Sequence, residues 1–211
     1  MNTLRALLGA AFMLAGAAEA GRPLTVDDAG VDDKGTGHVE AWYARQPGGG
    51  AVWTVAPAYA PLEGLELGAA LSRDRDNRQT SEQLQAKWLI TPSREDGCNT
   101  AAAAGASRIQ GSGTSPFAYA ILTCNSSWGS THANLGGVRD PGGPTVGTWG
   151  IAHERPLGAV TVHAEAFGQR LAKPTYQVGI RTLLVDRLQV DGTVGRTNRR
   201  TLMSVGVKIG F

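Results

Sequence analysis

Charge is scarce in this sequence. Asp, Glu, Lys and Arg make up 18% of its 211 residues, against roughly a quarter in an ordinary soluble domain. Aromatic residues are few, at 6%, and there are only two cysteines. Beyond position 20 no stretch approaches the ~18 uninterrupted apolar residues that a spanning helix needs, which excludes a helical membrane protein. The chain is not poor in apolar residues either; they account for 42% of it, in alternation through most of its length, which excludes intrinsic disorder. A formal net charge of +2 gives no basic surface for a nucleic-acid partner. What is abundant is glycine, with 29 residues, nearly double the usual share and without any collagen-like triplet.

The first twenty residues, MNTLRALLGAAFMLAGAAEA, carry one basic residue (Arg5), an apolar run from Ala6 to Ala18, and the small-x-small close Ala18-Glu19-Ala20. This is the pattern of a cleaved signal peptide over residues 1–20, and it places the mature chain outside the cytoplasm. No cysteine follows the cleavage point, so no lipid anchor is indicated. Residues 21–37 form a polar leader with four aspartates, Asp27, Asp28, Asp32 and Asp33. Their spacing does not match a calcium loop, which needs oxygen ligands at alternate positions before a glycine. The leader is expected to be periplasmic, solvated or tucked into the mouth of the domain that follows. No metal and no cofactor is expected.

From His38 to Phe211 the sequence divides into about twelve alternating segments of roughly ten residues, separated by Gly, Pro, Asp or Ser clusters such as QPGGG, APLEG, SRDRDNRQTS, DPGGP and RPLGA. The alanine run TAAAAGASRIQ also suits a helix, but Gly105 and the breaks on either side favour a strand. Soluble strands average ~5–6 residues, whereas a tilted membrane strand needs ~9–11. Connections this short leave no room for crossover helices. The expected fold is all-β: an antiparallel up-and-down transmembrane β-barrel of about twelve strands over residues 38–211.

The two faces of each segment differ. Met203, Val205, Val207, Ile209 and Phe211 alternate with Ser204, Gly206, Lys208 and Gly210; Leu65, Leu67 and Leu71 alternate with Glu66, Gly68 and Ser72. A barrel of twelve strands is too wide for apolar side chains to fill, since filling works near eight. Turning the apolar face to lipid and the small or polar face inward removes that difficulty. Glu40, Glu66, Lys87, Glu154, Glu165, Arg181, Asp191 and Lys208 are then expected to line the lumen, because in lipid they would be prohibitive. Their mixed signs point to internal ion pairs, with selectivity of a narrow polar pore as the sharper reading. Trp53, Phe117, Tyr119 and Tyr176 are expected at one rim, and Tyr59, Trp88 and Phe211 at the other. With both ends of an even-stranded barrel on the periplasmic side, the longest polar connection, SRDRDNRQTSEQ, is expected outside.

Cys98 and Cys124 are expected to form a disulfide in an oxidising compartment. Their midpoint, Gly111, falls between the fifth and sixth segments, so they face each other across a hairpin. His38, His132, His153 and His163 all fall near the periplasmic rim, and neither GxSxG nor HExxH occurs. No catalytic set is therefore assigned, and the chain is not expected to be an enzyme. Expected partners are outer-membrane lipid, lipopolysaccharide for the loop arginines (Arg73, Arg75, Arg78, Arg196, Arg199 and Arg200), and a small solute.

The terminal pattern Val205, Val207, Ile209 and Phe211 resembles the C-terminal signal by which outer-membrane barrels are taken up by the assembly machinery. GRPLTVDDAG, LEGLELGAAL, the AKW of the fourth segment, HANLGGVRD and HAEAFGQRLAKPTYQVGIRTLLVDRLQVDGTVGR are together similar to a family of small proteobacterial outer-membrane barrels named for the meta-pathway of phenol degradation. The resemblance implies an outer-membrane location and passive transport of a small hydrophobic or aromatic solute. The other reading is a structural or surface-interaction barrel with a plugged lumen and no transport.

Overall fold

A computed structural model describes residues 23–47, 50–92 and 94–211; the segment at 1–20, expected to be a signal peptide, lies outside the described residues. The chain runs through β1 (Gly37–Arg45), β2 (Ala51–Leu62), β3 (Leu65–Asp74) and β4 (Thr80–Leu89). It continues through β5 (Gly97–Ile109), β6 (Gly113–Ser126), β7 (Gly129–Arg139) and β8 (Thr145–Leu157). The last four are β9 (Val160–Gln169), β10 (Thr175–Val185), β11 (Leu188–Thr197) and β12 (Arg200–Gly210). Every strand pairs antiparallel with its sequence neighbours, and β1 pairs with β12 from His38↔Gly210 to Arg45↔Met203, closing the barrel. Closure removes the unpaired edges that an open sheet of this length would present. The alanine run is β5, opposite β6 over its whole length.

Alternation fixes which way each side chain points. Leu67, Leu71, Leu84, Leu135, Ile151, Val178, Ile180, Val205 and Ile209 are exposed on the outer surface. The opposite faces bury Glu40, Thr54, Glu66, Gln83, Gln85, Lys87, Asn99, Glu165 and Gln177. This inversion of the soluble pattern, apolar outside and polar inside, suits a barrel whose solvent is lipid. On the outside, Tyr43, Trp53, Trp149 and Tyr176 sit near one rim, and Tyr59, Trp88, Trp128 and Phe211 near the other. Tyr43 and Trp53 pack at 5.0 Å between ring centroids.

Phe117 and Tyr119 do not belong to the girdle in which the sequence pattern puts them. On β6 the buried residues are Ser115, Ile121 and Thr123, so 117 and 119 share the inward face. Large side chains can turn inward here because β5 opposite is small: a Cβ at Gly105 would lie 2.7 Å from Phe117 Cζ. The outward positions are Pro116, Ala118 and Ala120.

The two rims are unlike. At the rim where β1 begins and β12 ends (the terminal rim), the connections are 63–64, 127–128, 158–159 and 186–187, all of two residues, together with 90–96. Glycines 64 and 158 take positive φ in their turns, at 72° and 65°, which favours glycine because it has no Cβ. At the opposite, distal rim most connections are longer: 46–50, 75–79, 140–144 and 170–174. The polar stretch SRDRDNRQTSEQ lies at the distal rim, but it is mostly strand. β3 continues to Asp74, whose carboxylate caps the turn by accepting from Asp76 N and Asn77 N at 2.9 and 3.0 Å. The longest connection is 90–96, at the terminal rim.

Cys98 and Cys124 are directly opposed in the register of β5 and β6 and are joined by a disulfide. Both alternate with inward residues (Asn99, Thr123), so the bridge lies on the outer face beside the terminal rim. The mature protein should accept no alkylating reagent until unfolded and reduced, and then two groups per chain by intact mass; labelling without reductant would contradict the bridge.

Candidate functional site

The N-terminal segment enters the barrel. Leu24, Val26, Asp27 and Ala29 are all nearly inaccessible to solvent, although nothing in the segment pairs as a strand. Its course follows from its neighbours. Asp32 and Thr36 lie at the terminal rim, beside His38 and Ala60. Ala29 packs among Ala101, Ala103 and Ile121 in the half of the barrel near that rim. Val26 and Leu24 pack with Ala152 and Phe167 further along. At Pro23 to Thr25 the segment borders a cleft of about 40 Å³ shared with Trp42, Ala44, Gln177, Leu202 and Ser204, residues of the distal half. The segment therefore threads the lumen from the terminal rim to the distal half, rather than staying at the mouth or in solvent.

A buried extended chain without a strand partner must still satisfy its amides. Here the barrel wall does so with side chains. The Glu165 carboxylate accepts from Thr25 N at 2.8 Å and from Val26 N at 2.9 Å, and Gln177 Nε2 donates to it at 2.8 Å. Asn134 acts as a surrogate strand: Asp27 N donates to its Oδ1 at 2.7 Å, and its Nδ2 donates to Asp27 O at 2.8 Å. Ala29 N donates to Thr123 Oγ1 at 2.8 Å, and Asp32 N to Glu66 Oε2 at 3.0 Å. The Asp27 side chain is held as well. Lys87 Nζ lies 3.3 Å from its Oδ1, and Tyr119 Oη donates to its Oδ2 at 3.0 Å. Charge-assisted contacts of this kind, removed from water, are the stronger sort of hydrogen bond.

All eight charged positions singled out in the sequence (Glu40, Glu66, Lys87, Glu154, Glu165, Arg181, Asp191 and Lys208) lie on inward faces. They form separate groups rather than one ring. Lys87 bridges Asp27 and Glu66, the latter at 3.7 Å. Lys208 lies 3.7 Å from Glu40 Oε1. Arg181 meets Glu154 at 2.8 Å and faces Asp191 across the β10–β11 register. Glu165 serves the threaded segment. Opposite signs meet within each of the first three groups, so no single-sign filter runs along the wall.

Three histidines face inward. His38 Nδ1 lies 2.7 Å from Asp32 Oδ2, and this hydrogen bond holds the Asp32 carboxyl below the usual carboxylate range. His163 lies over Gly179, where a Cβ would fall 2.4 Å from the ring. Thr123 Oγ1, His132 Nδ1 and Glu154 form a hydroxyl–imidazole–carboxylate chain, at 2.9 Å and, from His132 Nε2, 3.6 Å. The order resembles that of a hydrolase, but the Thr123 oxygen already receives the Ala29 amide and is buried beneath the segment. In this arrangement the chain ends on an oxygen that holds a segment amide. His153 faces outward and meets Thr131 Oγ1 at 3.0 Å.

The residues that sequence patterning passes over are the neutral ones Gln85, Thr123, Asn134 and Gln177, and Tyr119 is one it assigns to an outer girdle. Their signal was present but indirect. Uncharged amides and hydroxyls recur on the inward faces, and Leu24, Val26 and Ala29 are apolar residues that a solvated leader does not need.

Solved structures share this architecture. A KdgM porin superposes with a TM-score of 0.72 at 12% identity, over 82% of this chain and 99% of that one. A NanC porin gives 0.64 at 9% identity, over 82% and 98%. The outer-membrane phospholipase A of Escherichia coli gives 0.52 at 12% identity, over 93% and 96%. At these identities the likeness is one of fold, and it extends to channels and to an enzyme alike. No curated protein is similar in sequence. The model of a family described as "Uncharacterised conserved protein UCP029691" matches residues 8–211.

Replacing Glu165 by Ala removes the acceptor for two segment amides. Hydrogen exchange at Thr25 and Val26, slow in the wild type, should become fast while the strand amides stay protected. Unchanged protection would show that the carboxylate does not hold the segment.

Proposed function

The chain belongs to that uncharacterised family, which hands down no activity, and we propose that it is an outer-membrane pore held shut by its own N-terminal segment. The observation that carries this reading is the manner of closure. The segment is not part of the sheet; it is docked through side chains of the wall, and none of those contacts is a rung of the strand ladder. Transport of a small solute then requires the segment to withdraw, wholly or partly, from a wall that stays intact. We place the terminal rim in the periplasm, following the short-turn side of outer-membrane barrels, and the longer distal connections outside. Val205, Val207 and Ile209 on β12 and Phe211 just beyond it are then positioned as the signal to the assembly machinery, and the loop arginines face lipopolysaccharide.

The solute follows from the wall. Once the segment leaves, the lumen presents Glu40, Glu66, Glu154, Glu165 and Asp191 against Lys87, Arg181 and Lys208, with Gln83, Gln85 and Gln177 between them. Such a lining favours a small polar solute and a weak preference for cations. The resemblance to the barrels named for phenol degradation implies a hydrophobic or aromatic solute instead, and the bland alternative is a permanently plugged structural barrel. Neither exploits a detachable segment in a charged lumen.

Single-channel recording of the refolded mature protein in a planar bilayer separates these readings. The wild type should open rarely, and a variant lacking residues 23–34 should show sustained, weakly cation-selective steps. A Gly150→Val variant should fall between them, since a Cβ there would lie 2.7 Å from Val26 Cγ2. Absence of steps from all three, with each barrel folded by the heat-dependent gel shift, would overturn the pore and leave the structural role.

A further inference from the structure

The base of the threaded segment meets the barrel wall at a cluster of three possible metal ligands, in which Glu66 Oε2 also accepts the Asp32 amide. Asp32 belongs to the segment, His38 is the second residue of β1 and Glu66 the second of β3. One ligand atom from each lies within 4.8 Å of the other two. We propose that these three residues form a binding site for a divalent transition-metal ion, Zn²⁺ being the natural probe, which staples the segment to the wall at the terminal rim. The proposal rests on the pore reading only for its consequence, not for the site itself.

The donor chemistry is the first argument. An imidazole nitrogen with two carboxylate oxygens suits zinc and its neighbours rather than calcium or magnesium, which take all-oxygen shells. At about 2.0–2.2 Å from a common ion the ligand atoms would sit ~3–3.5 Å apart. Small side-chain rotations reach that spacing from the one observed. The second argument is the surroundings of His38. Its Nδ1 faces Asp32 at 2.7 Å, while Nε2 faces Glu40 Oε1 at 3.9 Å. At 3.9 Å this is longer than a hydrogen bond, but it puts a carboxylate on the side of the ring where a metal-binding histidine usually has one. The third is access. The Asp32 side chain keeps 26% of its exposure, against 11% for His38, so an ion can enter from the rim and retain a water.

Two cations stand nearby. Lys87 lies 3.7 Å from Glu66 Oε1 and Lys208 lies 3.7 Å from Glu40 Oε1. Lys87 is already balanced by Asp27 at 3.3 Å. Asp32, Glu66 and Glu40 together leave the cluster negative, as a divalent ion needs. Because one ligand comes from the segment and two from the wall, occupancy would oppose withdrawal of the segment. Linkage requires the converse too: withdrawal removes Asp32 and weakens the ion's binding.

The test is calorimetric titration of Zn²⁺ into untagged, refolded mature protein in a chelator-free detergent solution. We expect one ion per chain. Asp32→Asn, which lies outside every strand, should weaken binding by more than the roughly ten- to hundredfold that loss of an outer-shell partner costs, as should Glu66→Gln. His153→Ala, on the outer face, should leave it unchanged. No saturable uptake by the wild type, or uptake that survives both ligand substitutions, would overturn the site. In bilayers zinc should lower the opening frequency of the wild type and not of Asp32→Asn; equal inhibition of both would overturn the staple. Zinc uptake by a barrel that never conducts would keep the site and refute the pore, whereas conduction without zinc uptake would do the reverse.

Discussion

Everything in the interior follows from one requirement: an extended peptide inside a closed barrel has no strand to pair with, yet its amides are out of reach of bulk water. An unmade backbone hydrogen bond in such a place costs on the order of 1–3 kcal/mol. The wall meets the requirement with Glu165, Asn134, Thr123 and Glu66, each on a different strand and each taking an amide of the segment. These residues are therefore not general lumen polarity. Their order around and along the barrel, from Glu66 near the terminal rim to Glu165 beyond the middle, is the path of the segment written on the wall.

The same requirement explains the composition. A twelve-stranded barrel is too wide for its own side chains to fill, and most residues on the inward face are small or polar, with Trp42, Phe117, Tyr119, Ile121, Phe167 and Leu202 as the large exceptions. Alanines 101 and 103 accept Ala29, and Gly150 accepts Val26, where a side chain would collide with the segment. The lumen thus holds an element that is covalently part of the chain but is bound largely through wall side chains rather than through the strand ladder. That combination is what the proposed gate requires and a core would not. Here the strand ladder closes through the pairing of β1 with β12, in which the segment takes no part.

The barrel was legible in the sequence because a period of two, a length of about ten and glycine-rich breaks recur twelve times, and each repeat confirms the others. The inward charges and the disulfide pair could be read for the same reason, since strand parity places them. Phe117 and Tyr119 escape that reading because size does not fix direction: they turn inward only where Gly105 opposite makes room. The path of the leader escapes it for a deeper reason. Parity describes neighbours within a sheet, and the leader has none; its contacts with Lys87, Tyr119, Asn134 and Glu165 join positions 60 to 140 residues apart. The aspartates that look like a solvated tail are in part anchors, and only Leu24, Val26 and Ala29 hint at burial. The Asp32, His38 and Glu66 cluster is invisible for the same reason, since no linear spacing relates a leader residue to the second residues of two strands.

The location of the segment is the claim on which the rest stands, and a covalent trap tests it most directly. A Cβ at Gly150 would lie 3.5 Å from Val26 Cβ, within the range that a disulfide spans. A Val26→Cys/Gly150→Cys variant should therefore cross-link on oxidation without disturbing the barrel, giving a linked peptide by mass spectrometry in addition to Cys98–Cys124. If both introduced thiols remain free and alkylatable in a folded barrel, the segment does not occupy the lumen, and the account of closure built on it is wrong.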